Sequence, residues 1–104
     1  MRKIKCIVKR PDEEYGHMTS VSNTLENLQK TVGGYIETVP LIDGVIAIVN
    51  EEGKIMGLER NMRIPGDTLH GTIIIVGVKG EEFDDIPITF KSWKKCVDLL
   101  KELI

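Results

Sequence analysis

The chain has 104 residues, 41% apolar and 29% charged, which fits a single globular domain over 1–104 and excludes a disordered or fibrous composition. A formal charge of −2 predicts no broad field for nucleic acid or an anionic membrane, although it is compatible with a local patch. The two cysteines, Cys6 and Cys96, are too few and too far apart for a disulfide framework; they predict a reducing, cytoplasmic setting, with one bridge as the alternative.

Residues 3–9, KIKCIVK, alternate Ile4, Cys6 and Val8 with Lys3, Lys5 and Lys9, so a strand is expected. The same lysines interrupt any signal-peptide-like run, and the longest apolar stretches, VIAIV and TIIIVGV, are far short of the roughly 20 residues that cross a bilayer. Pro11 ends the strand, and Asp12–Thr19 is polar enough for a loop.

A short helix follows, with Asn23 as its expected cap, Glu26 completing a capping box, and Leu25, Leu28 and Val32 on one face. Gly33 stands where a left-handed residue ends a helix, and Tyr35–Val39 then reads as extended. A phosphate-binding loop would need its glycines before a helix rather than after one, so Gly33–Gly34 predicts a corner of the fold and not an anion site.

Pro40–Asp43 is expected to turn, and Val45–Val49 to form a wholly apolar strand. NEEGK then supplies a second turn, with Lys54–Leu58 returning as the other arm of a hairpin. From Glu59 to Gly71 the pattern lapses, and only Pro65–Gly66 signals a turn. Thr72–Val78 is a further apolar strand, and the acidic EEFDD leads to Pro87. Thr89 is the expected cap of a last helix with a stripe of Phe90, Trp93, Val97, Leu100 and Ile104, widened by Cys96 and Leu103.

The sum is an α+β domain: a mostly antiparallel sheet of about five strands packed by two helices. Val45–Val49 and Thr72–Val78 are apolar on both sides, so both faces of the sheet need a cover. With two helices on one face, the other calls for a curled, barrel-like sheet or a homodimer.

Chemistry-bearing patterns are sparse. His17, His70 and the two cysteines have no metal-ligand spacing, and Glu51–Glu52 and Glu81–Asp85 lack the alternating oxygens of a calcium loop; no metal or cofactor is predicted. No nucleophile elbow surrounds Ser20, Ser22 or Ser92, Asp84 and Asp85 point apart if extended, and Cys6 reads as core, so no catalytic residue is assigned. Arg2, Lys3, Lys5, Lys9 and Arg10, with Arg60, Asn61 and Arg63, suit phosphate contacts, whereas the lysines equally suit protection of an edge strand. Leu58–His70 is long for a connection in so small a domain; its Arg60, Asn61, Arg63 and His70 suit a binding surface, and its Met62 and Ile64 suit a plug for the sheet.

The patterns VGGYIE at Val32–Glu37 and NEEG at Asn50–Gly53, followed by Leu58, Asn61 and Gly71, resemble an uncharacterised domain family of phages, plasmids and integrated mobile elements of bacteria. Family members often carry an arginine immediately after the asparagine matched by Asn61, where this chain has Met62. The resemblance implies a cytoplasmic accessory protein and directs attention to Glu37, Glu51, Glu52 and Asn61, without an activity to carry over. The resulting expectation is a non-catalytic protein-interaction or regulatory factor whose partner is a host or element-encoded protein. Glu37, Glu51, Glu52, Arg60, Asn61, Arg63 and His70 are its partner-binding candidates. A nucleic-acid-binding accessory protein and a cryptic enzyme are the alternatives, and no membrane partner is expected.

Overall fold

The computed structural model describes residues 2–103. The order of elements is β1 (Lys3–Lys9), β2 (His17–Ser22), α1 (Leu25–Val32), β3 (Ile36–Ile42), β4 (Val45–Asn50), β5 (Arg60–Ile64), β6 (Asp67–His70), β7 (Ile73–Lys79), β8 (Glu82–Asp84) and α2 (Phe90–Leu103). Every strand pair is antiparallel. Five strands run in the order β2-β1-β7-β4-β3, β8 adds a sixth beside the far end of β7, and β5–β6 is a separate hairpin. The sheet is open, with β2 and β3 at its edges, so it does not close into a barrel.

The double-sided apolar strands are covered by one helix on each face. Ile4, Cys6, Val8, Ile48, Ile74 and Val76 pack with Leu28 and Val32 of α1. Ile7, Val45, Ala47, Val49, Ile73 and Ile75 pack with Trp93 and Val97 of α2 and with Met62, Ile64 and Leu69 of the β5–β6 hairpin. The two helices therefore lie on opposite faces and not together on one, and the hairpin joins α2 in covering the face for which the sequence suggested a closed sheet or a second copy. Ile64 faces Asp67 across a turn of Pro65 and Gly66, and the strands are too short to stand out by period.

Several other expectations are corrected. The predicted Asp12–Thr19 loop gives way to β2 at His17, which pairs residue for residue with β1 from Lys3↔Ser22 to Val8↔His17. Its HMTSVS sequence is largely polar because it is an edge strand with little to bury. β1 consequently lies between β2 and β7, and its lysines guard no edge. The α1 cap is Thr24, whose Oγ1 accepts from Asn27 N–H at 3.2 Å. Asn23 is instead held by the Arg2 carbonyl through its amide and by the Phe83 carbonyl through its side chain.

Strand β3 continues through Pro40 to Ile42, because an edge strand tolerates a missing N–H, and the register shifts between Pro40 and Ile42. Residues 54–58 do not return as a strand. They wind into a turn in which Met56 N–H donates to the Glu52 carbonyl (2.8 Å) and Leu58 N–H to that of Gly53 (2.9 Å). EEFDD contributes the short β8 rather than a loop alone.

At the second helix, Thr89 Oγ1 accepts from Ser92 N–H at 3.1 Å, the expected cap. Trp93 and Val97 are buried, Leu103 stays exposed beside Ile64 and Pro65, and Ile104 lies outside the described residues.

Candidate functional site

One buried side chain shapes the region after β4. Asn50, only 5% exposed, donates from Nδ2 to the Val32 carbonyl at the end of α1 (3.2 Å) and accepts Glu52 N–H on Oδ1 (2.8 Å). It thereby ties a helix terminus, which leaves carbonyls unpaired, to the start of the 51–57 turn. The twin glycines make room for this latch. Gly33, at φ 84°, takes the left-handed conformation that ends α1, and a Cβ on Gly34 would stand 2.9 Å from Asn50 Nδ2. Both glycine amides donate to the Gln29 carbonyl, at 2.8 and 3.0 Å, which leaves neither pointing at an anion.

Beside this latch lies a cleft of about 180 Å3 between β3, β4 and the β5–β6 hairpin. Glu37 of β3, Glu51 of the turn and His70 of β6 line it, together with Lys54 and Asp67. Lys54 is bonded to Asp67, and that bond, helped by Thr68 N–H, holds the Asp67 carboxyl below its ordinary range. His70 Nδ1 lies 3.0 Å from the Leu58 carbonyl, which can only accept, so Nδ1 carries the proton and the ring fastens the base of the hairpin. Next to the cleft, Glu51 N–H donates to the Tyr35 carbonyl at 2.8 Å, which sets the 51–57 turn beside Tyr35. Three large apolar side chains stand out here: Tyr35 at 67% exposure, Ile55 at 85% and Met56 at 54%.

A second asparagine builds a different site about the end of β1. Asn61 Nδ2 donates to the carbonyls of Lys9 and Gly71, both at 2.8 Å, while its Oδ1 accepts from Lys9 Nζ at 2.7 Å. Lys9 is only 2% exposed, and no carboxylate forms an ion pair with it among the described residues. Burial pushes its ammonium pKa down and Lys101 acts the same way, while Glu13 and Glu14 oppose them. The residue faces a cavity of about 500 Å3 bounded by Arg60 and Arg63 of β5, by Val97, Leu100 and Lys101 of α2, and by the loop after β1. That loop is fastened to α2: Trp93 Nε1 donates to the Tyr15 carbonyl, Tyr15 Oη to Asp98, and Lys101 Nζ to Glu14, each at 2.8 Å.

The seven sequence candidates thus divide. Glu37, Glu51 and His70 meet at the acidic cleft, whereas Arg60, Asn61 and Arg63 meet at the basic cavity. Glu52 is exposed on the turn and lines neither. Within Leu58–His70, Met62, Ile64 and Leu69 plug the sheet while Arg60 and Arg63 remain exposed. Lys9, the most buried ionisable group of the cavity, looked from its strand period like one more surface lysine. The basic N-terminal run is also broken up, with Arg2 bonded to Asp84, Lys9 buried and Arg10 beside Glu13. Among the described residues no three of His, Cys, Asp and Glu converge as metal ligands.

A family model described as "Domain of unknown function (DUF3846)" matches residues 4–98. The chain belongs to this family. The DUF3846 match takes in both asparagine latches and the whole acidic cleft, and stops before Leu100 and Lys101 of the basic cavity. No curated protein and no solved structure matches the chain. No described helix is long and apolar enough to cross a membrane.

Proposed function

We propose that this DUF3846 chain is a non-catalytic protein-interaction or regulatory factor that takes a basic, partly apolar segment of a partner protein at the acidic cleft. One observation carries the reading: Glu37, Glu51 and Glu52 have no ion-pair partner among the described residues, near the exposed Ile55 and Met56 of a braced turn and the exposed Tyr35 bonded to its start. An apolar patch rimmed by charge is the usual form of a protein-recognition surface. The carboxylates select a cationic partner, and Tyr35, Ile55 and Met56 supply area to bury. Because Asn50 holds the turn in place, little ordering cost remains for binding. Lys54 is bonded to Asp67, so Glu37 and Glu51 are the carboxylates of the cleft left to meet a cationic partner.

A cytoplasmic setting on a bacterial mobile element or phage belongs to the same proposal. It is supported by the VGGYIE and NEEG resemblance and by two free cysteines, Cys6 and Cys96. The test is capture from natural-host lysate with the tagged chain and with Glu37→Gln/Glu51→Gln/Glu52→Gln. The wild-type chain is expected to retain a specific protein that salt releases and the neutralised chain fails to hold. Retention that ignores the three substitutions, or retention of nucleic acid alone, would reject the reading.

A further inference from the structure

The cavity at Lys9 is separate from the acidic cleft, and the inference drawn from it does not rest on the protein-partner reading. A buried ammonium is expensive to keep unless it is paired or hydrogen-bonded, and it carries three donors. Lys9 has Asn61 Oδ1 as a neutral acceptor at 2.7 Å and no carboxylate in ion-pair range among the described residues, yet it borders about 500 Å3 of open volume.

Two of the three acids around that volume are already engaged. Glu14 accepts from Lys101, and Glu13 accepts from Arg10 N–H at 2.8 Å while lying 3.0 Å from His17. These contacts hold both carboxyls below their ordinary range, Glu14 chiefly through Lys101 and Glu13 chiefly through the Arg10 amide. Setting the Lys101–Glu14 pair and the engaged Glu13 aside leaves Lys9, Arg60 and Arg63 facing Asp12 alone. Val97 and Leu100 give the same cavity an apolar wall.

We propose that this cavity binds a small organic anion, a carboxylate- or phosphate-bearing molecule with an apolar portion. Its oxyanion is placed against Lys9 and the Arg60–Arg63 pair, and its apolar part against Val97 and Leu100. A volume of this size is within the range of small-molecule sites, which are mostly apolar with a few convergent polar groups. Arginine suits the rim because its planar fork pairs with both carboxylate and phosphate. Asn61 is a positioning residue: it holds Lys9 from below and is tied to two backbone carbonyls.

The experiment is titration of the purified, isotopically labelled chain with benzoate, phenyl phosphate and the neutral benzyl alcohol, followed by amide NMR shifts. At least one anion is expected to give saturable shifts at Lys9, Asn61 and Val97, with benzyl alcohol at least about tenfold weaker. The anion that responds distinguishes a carboxylate ligand from a phosphate one. Arg60→Gln/Arg63→Gln changes only exposed side chains and is expected to weaken binding by about tenfold or more. Lys9→Met should do the same where it folds. Absence of saturable shifts with both anions, equal response to the alcohol, or undiminished binding by the double arginine variant would overturn the proposal. None of these outcomes bears on partner capture at the acidic cleft.

Discussion

The acidic cleft and the basic cavity are each organised by one asparagine, but the two latches hold different things. Asn50 joins neutral groups, a helix-end carbonyl and a turn amide. Asn61 joins two carbonyls and a buried ammonium. The difference bears on what each region tolerates. Neutral groups left unpaired cost their desolvation, whereas a buried charge stripped of its acceptor costs more. In both regions the exposed charges nearby, Glu37, Glu51 and Glu52 on one side and Arg60 and Arg63 on the other, are left over from building the fold.

The largest effect should come from Asn61→Leu, which strands Lys9 Nζ and two carbonyls; we expect about 3–5 kcal/mol of lost stability by urea unfolding. Lys9→Met in the same chain should recover part of that loss, since the stranded charge is gone. An equal loss with and without Lys9→Met would place the cost in the carbonyls alone. Asn50→Ala should cost less, about 1–3 kcal/mol, because only neutral partners lose their bonds. Gly34→Ala should fall in a similar range of about 1–3 kcal/mol, since the new methyl meets Asn50 Nδ2 at 2.9 Å; no loss there would break the latch account.

Smaller effects follow from titration. The folded Lys9 pKa is below the ordinary 10.5, so between the two values the unfolded chain keeps a proton that the folded chain has lost. Stability should therefore climb with pH across that window and be lost as pH falls from 10.5 to the folded pKa, below which it levels off, and Lys9→Met should abolish the dependence. The Cys6 thiol has the opposite sign: burial raises it from 9.0 to about 11, so its contribution is intact below pH 9.0 and is lost as pH rises toward 11. Urea midpoints of wild type and Lys9→Met across pH 8 to 10.5 check the first sign. Urea midpoints of wild type and Cys6→Ala across pH 8.5 to 11 check the second, while iodoacetamide at pH 8 checks the burial behind it, with Cys96 labelled and Cys6 protected until the chain unfolds.

Much of the framework was legible from hydrophobic pattern. β1, β4 and β7 stand out because their apolar residues fill a core on one face or both, and Leu28, Val32, Trp93 and Val97 because they recur at helical spacing. β2 was not legible, since its pairing with β1 is made by backbone groups and its side chains are mostly polar. β5 and β6 escaped because five and four residues are too few to establish a period, although Met62, Ile64 and Leu69 all turn inward. The turn at NEEGK was legible, but Lys54–Leu58 reads as a hairpin arm from sequence because the side chain that holds the turn, Asn50, lies in the preceding strand. The charged candidates were visible as residue types. Their division between two sites depended on long-range placement, and the burial of Lys9 depended on a hairpin more than 50 residues away, a separation of 52 for the Lys9–Asn61 bond.

The most direct measurement is the affinity of the captured partner for wild type and for Glu37→Gln/Glu51→Gln/Glu52→Gln, at matched urea midpoints. Exposed carboxylates without ion-pair partners should leave the midpoint within about 0.5 kcal/mol of wild type, while binding weakens by at least about tenfold. Unchanged affinity at an unchanged midpoint would contradict the assignment of the acidic cleft as the recognition site.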